Sequence, residues 1–456
     1  MSEKNNELRM TEGNIGKQIL AFSLPLIIGN LFQQLYNTVD SVVVGQYVGK
    51  EALAAVGSSN SLINLLIGIL TGIATGAGVI IAQYYGGKKE EKLSWAVHTA
   101  MTISILGGVL MIFLGIAASG PILRLMGTPE SVMPNSTIYL RIFFLGSVFN
   151  LVYNIGSGIL RAVGDSKNPL YYLTFASFVN IGLDLLFVIV FHMGVAGAAW
   201  ATITAQAVSA LLVLWKLMTC KAPYRIYLKK LRIDRIMAGR IIRFGVPAGL
   251  QNSIISLSNV IVQANINSFG DAAMAGCGAY NKVDGFVLLP VMSLSMAVMT
   301  FVGQNVGAGK YDRAKKGLWV TCGITMVYVI VVSVILFLFR TQAISLFSND
   351  AEVIKNGVLM MIILMPFYWM ISLVNICTGA FRGAGRSLMA MMVMVVNLCG
   401  IRMLWIWITV PMVPRLSTVL WGYPVSWITA FICCLFFMKG SWIQEYKPKR
   451  NDGGRK

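Results

Sequence analysis

Gly158-Ile159-Leu160-Arg161-Ala162-Val163-Gly164-Asp165-Ser166 returns 221 residues later as Gly379-Ala380-Phe381-Arg382-Gly383-Ala384-Gly385-Arg386-Ser387. Glycine, arginine, glycine and serine keep their places. Other pairs surround this one. Gly49, Ala52, Gly57 and Asn60 recur as Gly270, Ala273, Gly278 and Asn281, and Gln83 and Gly86 recur as Gln304 and Gly307, all at the same offset. Nearer the N-terminus the offset is one residue longer: Ser23-Leu24-Pro25 matches Gly245-Val246-Pro247, and Asn37 matches Asn259. Matches spread over both halves imply two structurally equivalent lobes. In an apolar chain, repeats of this size are a common architecture of secondary transporters, with the substrate path between the repeats.

The 456 residues are 56% hydrophobic and only 12% charged, about half the charged share of a typical soluble domain. The composition predicts an all-α integral membrane protein. Roughly 20 residues cross the hydrocarbon layer, and twelve stretches are long enough: 17–44, 54–82, 95–118, 136–160, 169–192, 194–217, 241–267, 275–303, 317–339, 357–380, 388–410 and 417–438. The expected organisation is an N-tail over 1–16, a six-helix lobe over 17–217, a basic linker over 218–240, a second six-helix lobe over 241–438 and a basic C-tail over 439–456. The polar first sixteen residues lack the apolar core of a cleavable signal, so the first helix is expected to stay.

Alternate loops hold 29 of the 37 Lys and Arg, and the opposite loops hold Lys50, Arg124, Arg340, Lys355 and Arg415. Basic loops stay cytoplasmic, so both termini are expected inside a multi-pass plasma membrane protein. The net charge of +19 then reflects topology and attraction to anionic inner-leaflet lipid, with no need of nucleic acid. The densest basic cluster, including Lys229, Lys230, Arg232 and Arg235, reads as a lipid-facing linker, with a regulatory or substrate-recruiting role as the alternative. Six of seven cysteines fall in spans without a CxxC spacing, which suits apolar filler rather than a disulfide framework.

Three carboxylates lie inside predicted spans: Asp40, Asp184 and Asp284. Charge at that depth is costly and points to function. Asn180 precedes Asp184 by one helical turn, so the two share a face. Such a pair can hold a proton, offer oxygens to a sodium ion or make a structural hydrogen bond. Asp40 sits in an unusually polar helix with Gln33, Gln34, Tyr36, Asn37 and Thr38, which must face a cavity or a partner helix. Asp284 lies near Asn281 and Lys282; a coupling role and an ion pair with Lys282 or Arg402 both remain open. Arg402 needs an acidic partner, an anion or an aromatic face such as Trp405. Pro25 and Pro247 hold equivalent positions and predict paired helix bends. Met292, Met296 and Met299 run at helical spacing, as core, as lipid face or as an adaptable pocket.

These residues resemble the multidrug and toxic compound extrusion (MATE) family over roughly 10–440. The resemblance rests on Thr11-Glu12-Gly13, Phe22-Ser23-Leu24-Pro25, Tyr36-Asn37-Thr38-Val39-Asp40 with Gly45, Gly303-Gln304-Asn305-Val306-Gly307-Ala308-Gly309, and Phe381-Arg382-Gly383-Ala384-Gly385. It implies twelve helices in two six-helix lobes forming a V, and export of amphipathic, often cationic organic compounds against inward protons or sodium. In the DinF-like branch, Asp in the first helix and Asn-x-x-x-Asp in the fifth carry the coupling ion, which implies Asp40, Asn180 and Asp184 here. The NorM-like branch uses carboxylates in the seventh and tenth helices, and 241–267 and 357–380 contain none.

The expected coupling site is therefore Asp40, Asn180 and Asp184, with sodium as a candidate ion there and no structural metal. Gln33, Tyr36, Asn37, Asn281, Asp284 and Arg402 are candidate cavity or substrate contacts, and Pro25 and Pro247 are candidate bending points. A flippase for a lipid-linked saccharide or peptidoglycan precursor is the rival reading. It would want a strongly cationic cavity, whereas the spans hold Arg141, Lys282 and Arg402 against three Asp. An enzyme is not expected: His98 reads as a helix-surface residue and His192 as an edge residue, and no HExxH or Walker A sequence occurs. No catalytic residue and no cofactor are expected, and a monomer is expected.

Overall fold

The structure is a computed structural model that describes residues 9–125, 128–440 and 442–443. The first half forms α1 (Ile15–Tyr47), α2 (Lys50–Gly86), α3 (Glu90–Leu125), α4 (Met133–Leu145), α5 (Ser147–Ala162), α6 (Lys167–Asp184) and α7 (Gly194–Thr219). The second half forms α8 (Arg235–Asn267), α9 (Asp271–Gly307), α10 (Tyr311–Leu338), the short α11 (Arg340–Ser345), α12 (Ala351–Leu364), α13 (Tyr368–Gly383), α14 (Ser387–Val395), α15 (Arg402–Met412) and α16 (Leu416–Lys439). Among the described residues, nine helices or continuous helix pairs are apolar and long enough to cross a bilayer, and α4 with α5, bent by 51°, makes a tenth. The long α2 and α8 pack against each other and complete twelve crossings in two six-helix lobes.

The repeat in sequence is a repeat in backbone chemistry. Asn14 caps α1 by accepting from the Lys17 N–H, and Asp234 caps α8 by accepting from the Met237 N–H. Each side chain satisfies a donor that a helix start leaves unpaired. Gly164 and Gly385, which follow the repeated arginines, have φ of +97° and +82°. A side chain strains that backbone region, which explains why glycine stands at both places. The fourth and tenth crossings break at equivalent points, at Gly146 between α4 and α5 and in the 3-10 turn Met365–Phe367 between α12 and α13.

Large apolar side chains such as Phe113 on α3 and Val327 on α10 stand exposed on the outside of the bundle, as a hydrocarbon solvent permits. Inside, the packing crosses the boundary that the repeat suggests. Ile19, Phe22 and Leu26 of α1 belong to the core of the second lobe. Met237 and Ile241 of α8 belong to a core of the first lobe. Val43 and Val44, farther along α1, return to the first lobe, as Val262 and Ile266 of α8 do to the second. Each first helix therefore starts on the opposite lobe and ends on its own, and Pro25 and Pro247 lie within the stretches that still pack on the opposite lobe. Both prolines sit inside uninterrupted helices.

The lobes meet most closely at the end that carries the basic loops. A Cβ on Gly245 of α8 would lie 2.6 Å from the Ile73 Cα of α2, so only glycine permits the crossing. Nearer mid-span, the Asn30 amide of α1 donates to the Ser293 hydroxyl of α9 at 3.1 Å.

Candidate functional site

α1 and α6 pack together in the first lobe and bring Asp40, Asn180 and Asp184 into one place. The three are 8%, 1% and 0% exposed. Asp40 and Asp184 lie within electrostatic reach of each other. Tyr36 of α1 and Tyr139 of α4 lie within reach of both carboxylates. Tyr153 of α5 lies beside Tyr36 and donates to the Pro169 carbonyl at 3.4 Å.

Most polar atoms of this cluster find no answering group among the described residues. Both Asp184 oxygens, both Asn180 amide atoms and Asp40 Oδ1 are buried without a hydrogen-bond partner. Two neighbouring buried carboxylates repel each other and lose hydration, so a bound cation or proton relieves a large electrostatic cost. Two Asp and an Asn offer hard oxygen donors, which suit a proton or an alkali ion rather than a soft metal. Among the described residues, no group of three or more His, Cys, Asp or Glu could hold a metal. Immediately after Asp184, Leu185–Val190 forms a π-helix, a local widening of the helix that often accompanies functional sites.

The remaining predicted residues divide. Gln33 is exposed and Tyr36 half-buried on α1, while the Asn37 side chain lies outside the described residues. On α9, Asn281 and Lys282 are exposed and Asp284 is half-buried. Asp284 lies in electrostatic reach of Tyr280 and Tyr423. The Tyr280 hydroxyl in turn meets that of Tyr368 at 2.7 Å. This second polar cluster in the second lobe was legible only as Asp284.

Arg402 finds its partners within the protein. It is 3% exposed and held inside the second lobe. Its guanidinium donates to Asn259 Oδ1 at 3.3 Å and to the Ser426 hydroxyl at 3.3 and 3.2 Å. It stacks over Tyr423, 4.3 Å from the ring centroid. Trp405 instead donates its indole N–H to the Thr418 carbonyl. Asn259 is the repeat mate of Asn37. A second π-helix, Val396–Ile401, directly precedes Arg402.

His98 is a correction. It is 3% exposed rather than on a helix surface. Its Nδ1 lies 2.7 Å from the Ser94 carbonyl, and its Nε2 accepts from the Tyr227 N–H at 3.1 Å. The inter-lobe linker is thereby fastened to α3, a long-range contact that sequence does not announce. The methionine stripe splits along its length: Met292 is exposed, while Met296, one turn on, packs on the core.

Twelve crossings in two repeated lobes, with a buried and unsatisfied carboxylate pair in one of them, define a multi-pass membrane transporter. A family model described as MatE matches residues 25–186 and 247–408, and the chain belongs to that family. The two matched segments are the two repeats. The probable multidrug resistance protein YoeA of Bacillus subtilis is 30% identical over 402 residues, 86% of each chain. The FAD transporter of Shewanella oneidensis is 26% identical over 403 residues, again 86% of each chain. A solved structure, the outward-facing conformation of a multidrug resistance MATE family transporter of the MOP superfamily, shares the fold with a TM-score of 0.89. It is 22% identical, and the match covers 97% of this chain and 98% of that one.

Proposed function

We propose that this chain is a secondary active antiporter that exports amphipathic, often cationic organic compounds in exchange for protons or sodium. The observation that carries this reading is the buried Asp40, Asn180 and Asp184 cluster, in which both Asp184 oxygens, the Asn180 oxygen and Asp40 Oδ1 have no partner among the described residues. The basic end is cytoplasmic, with both termini inside the plasma membrane. Lobes 17–217 and 241–438 rock about the linker 218–240, and one chain suffices. The coupling ion is cargo, and no cofactor or enzymatic step enters the cycle.

With the outer side open, an ion reaches Asp184 and Asp40 and neutralises them. The cationic substrate loses its electrostatic partner and leaves. The lobes then turn inward, the ion departs to the cytoplasm, and the restored charges take up new substrate. Coupling is the differential affinity of the two ligands for one charged site. Gln33 and Tyr36 line the substrate side of α1, with Asn281 and Asp284 opposite. The bends at Pro25 and Pro247 act within the parts of α1 and α8 that pack on the opposite lobe.

Reconstitution into liposomes tests this. A fluorescent organic cation should accumulate only under an imposed proton or sodium gradient, and Asp184→Asn should abolish the accumulation. Full, gradient-sensitive transport by Asp184→Asn would overturn the coupling role. The relative named FAD transporter makes an anionic dinucleotide the second substrate to try.

A further inference from the structure

α2 and α9 are the same helix in the two repeats, and each ends at the basic end with a glutamine. The Gln83 amide of α2 donates to the Gly383 carbonyl at the end of α13, at 3.0 Å. The Gln304 amide of α9 donates to the Ala162 carbonyl at the end of α5, at 2.8 Å. Gln83 and Gln304 are 221 residues apart, and so are Ala162 and Gly383. The two bonds are one interaction made twice, each glutamine reaching from its own lobe into the other.

The surrounding backbone is fitted to this exchange. A Cβ on Gly86 would meet the backbone of Gln304, and one on Gly307 would meet the backbone of Gln83. A Cβ on Gly303 would lie 3.1 Å from the Ala82 Cβ. The glutamine–glycine pattern repeated in the sequence is thus the pattern of an inter-lobe closure.

The symmetry breaks in one respect. Gln304 is 1% exposed, and its Oε1 also accepts from the Met10 N–H at 3.3 Å. Asn305 donates to the Met10 carbonyl, Lys310 to the Thr11 carbonyl, and Arg313 to the Met10 and Glu12 carbonyls. These residues of the second lobe grip the N-tail, which leads directly into α1.

We infer that Gln83 and Gln304 are gate residues whose reciprocal bonds hold the cytoplasmic side shut and break together when it opens, with the N-tail securing the Gln304 half. The consequence for turnover rests on the antiporter reading, but the closure itself does not. Neutral amide–carbonyl bonds suit the task, since each is modest enough to break at every cycle. Losing one also leaves a buried carbonyl unpaired in the closed state alone, which favours opening.

Spin labels on Lys92→Cys and Asp312→Cys, in a Cys220→Ser background, report the lobe separation by pulsed dipolar spectroscopy in nanodiscs. Both labelled positions are exposed. The parent should show one short distance. Gln83→Leu should raise the ratio of longer to shorter distances about fivefold, and Gln304→Leu, which also frees Met10, should raise it further. Distance distributions unchanged by both substitutions, in protein that unfolds at the parent temperature, would overturn the gate. An Ala82→Cys/Gly303→Cys disulfide provides a second arm. Cross-linking should arrest transport of the fluorescent cation and reductant should restore it, while full transport by the cross-linked protein would overturn the proposal. A parent that moves no substrate would count against the antiporter reading, and the distance arm would still decide the gate.

Discussion

Asp184 and Arg402 show two different fates for a charge inside the membrane. Asp184 is fully buried with no donor among the described residues, which is the basis of its proposed role in ion binding. Arg402 is nearly as buried, but Asn259, Ser426 and Tyr423 already satisfy it. The two residues should therefore respond oppositely to substitution. Asn180→Ala should weaken coupling-ion binding about tenfold, the effect of losing one amide contact. Isothermal titration of the purified protein with sodium, or pH titration of its intrinsic fluorescence, measures this. At Arg402, Lys should be worse tolerated than Met. Lysine retains a desolvated charge without the guanidinium fork or its stack on Tyr423. Methionine removes the charge and its hydration cost together. Thermal unfolding in detergent should rank the parent and Arg402→Met above Arg402→Lys, and transport under a gradient should survive Arg402→Met.

At the scale of elements, glycine governs where helices turn and how near they come. Replacing Gly164 or Gly385 by Ala should destabilise the fold by about 1–2 kcal/mol each, the cost of a side chain at positive φ. The two effects should be similar because the turns are repeat-equivalent. Gly245→Leu is a harsher change, because the added side chain would press into the backbone of α2 at Ile73. It should lower the unfolding temperature far more than Gly239→Leu on the same helix, where a Cβ meets nothing within 4 Å. The turns were legible in sequence because glycine recurred at both places. The crossing of α2 and α8 was not, since glycines are common in transmembrane helices and their partner lies far away in sequence. The π-helices after Asp184 and before Arg402 were equally silent, because a register change leaves no distinctive residue pattern.

For the whole molecule, the arrangement of lobes predicts sidedness. A tag on either terminus should be protected from protease in intact cells and cleaved after permeabilisation. A cysteine at Lys355, exposed near the start of α12 at the opposite end, should react with an impermeant thiol reagent from outside. The exchange of α1 and α8 between lobes also changes how rocking must be pictured. Ile19 and Phe22 travel with the second lobe, while Val43 and Val44 travel with the first. Under the proposed rocking, α1 and α8 are thus the elements that both lobes hold. Asp40 lies on the far half of α1, against α6, so under the proposed coupling an ion bound at Asp40 and Asp184 would act on a helix anchored in both lobes.

The sequence by itself determined that the chain spans the membrane in two repeated lobes, because hydropathy and periodic recurrence are local or internal properties that need no coordinates. It also marked Asp40, Asn180 and Asp184, because polar groups are rare in apolar helices. Only the tertiary structure decided which of these polar groups remain unsatisfied. Asp184 and Arg402 look alike as lone charges in apolar runs, and the distinction lies in partners 24 and 143 residues from Arg402 that nothing equivalent supplies to Asp184. Likewise Gln83 and Gln304 read as repeated polar residues, but their exchange of bonds exists only where α2 and α9 meet the opposite lobe. Satisfaction of a buried polar group depends on geometry between distant segments, and that geometry is fixed by packing rather than by neighbours in sequence.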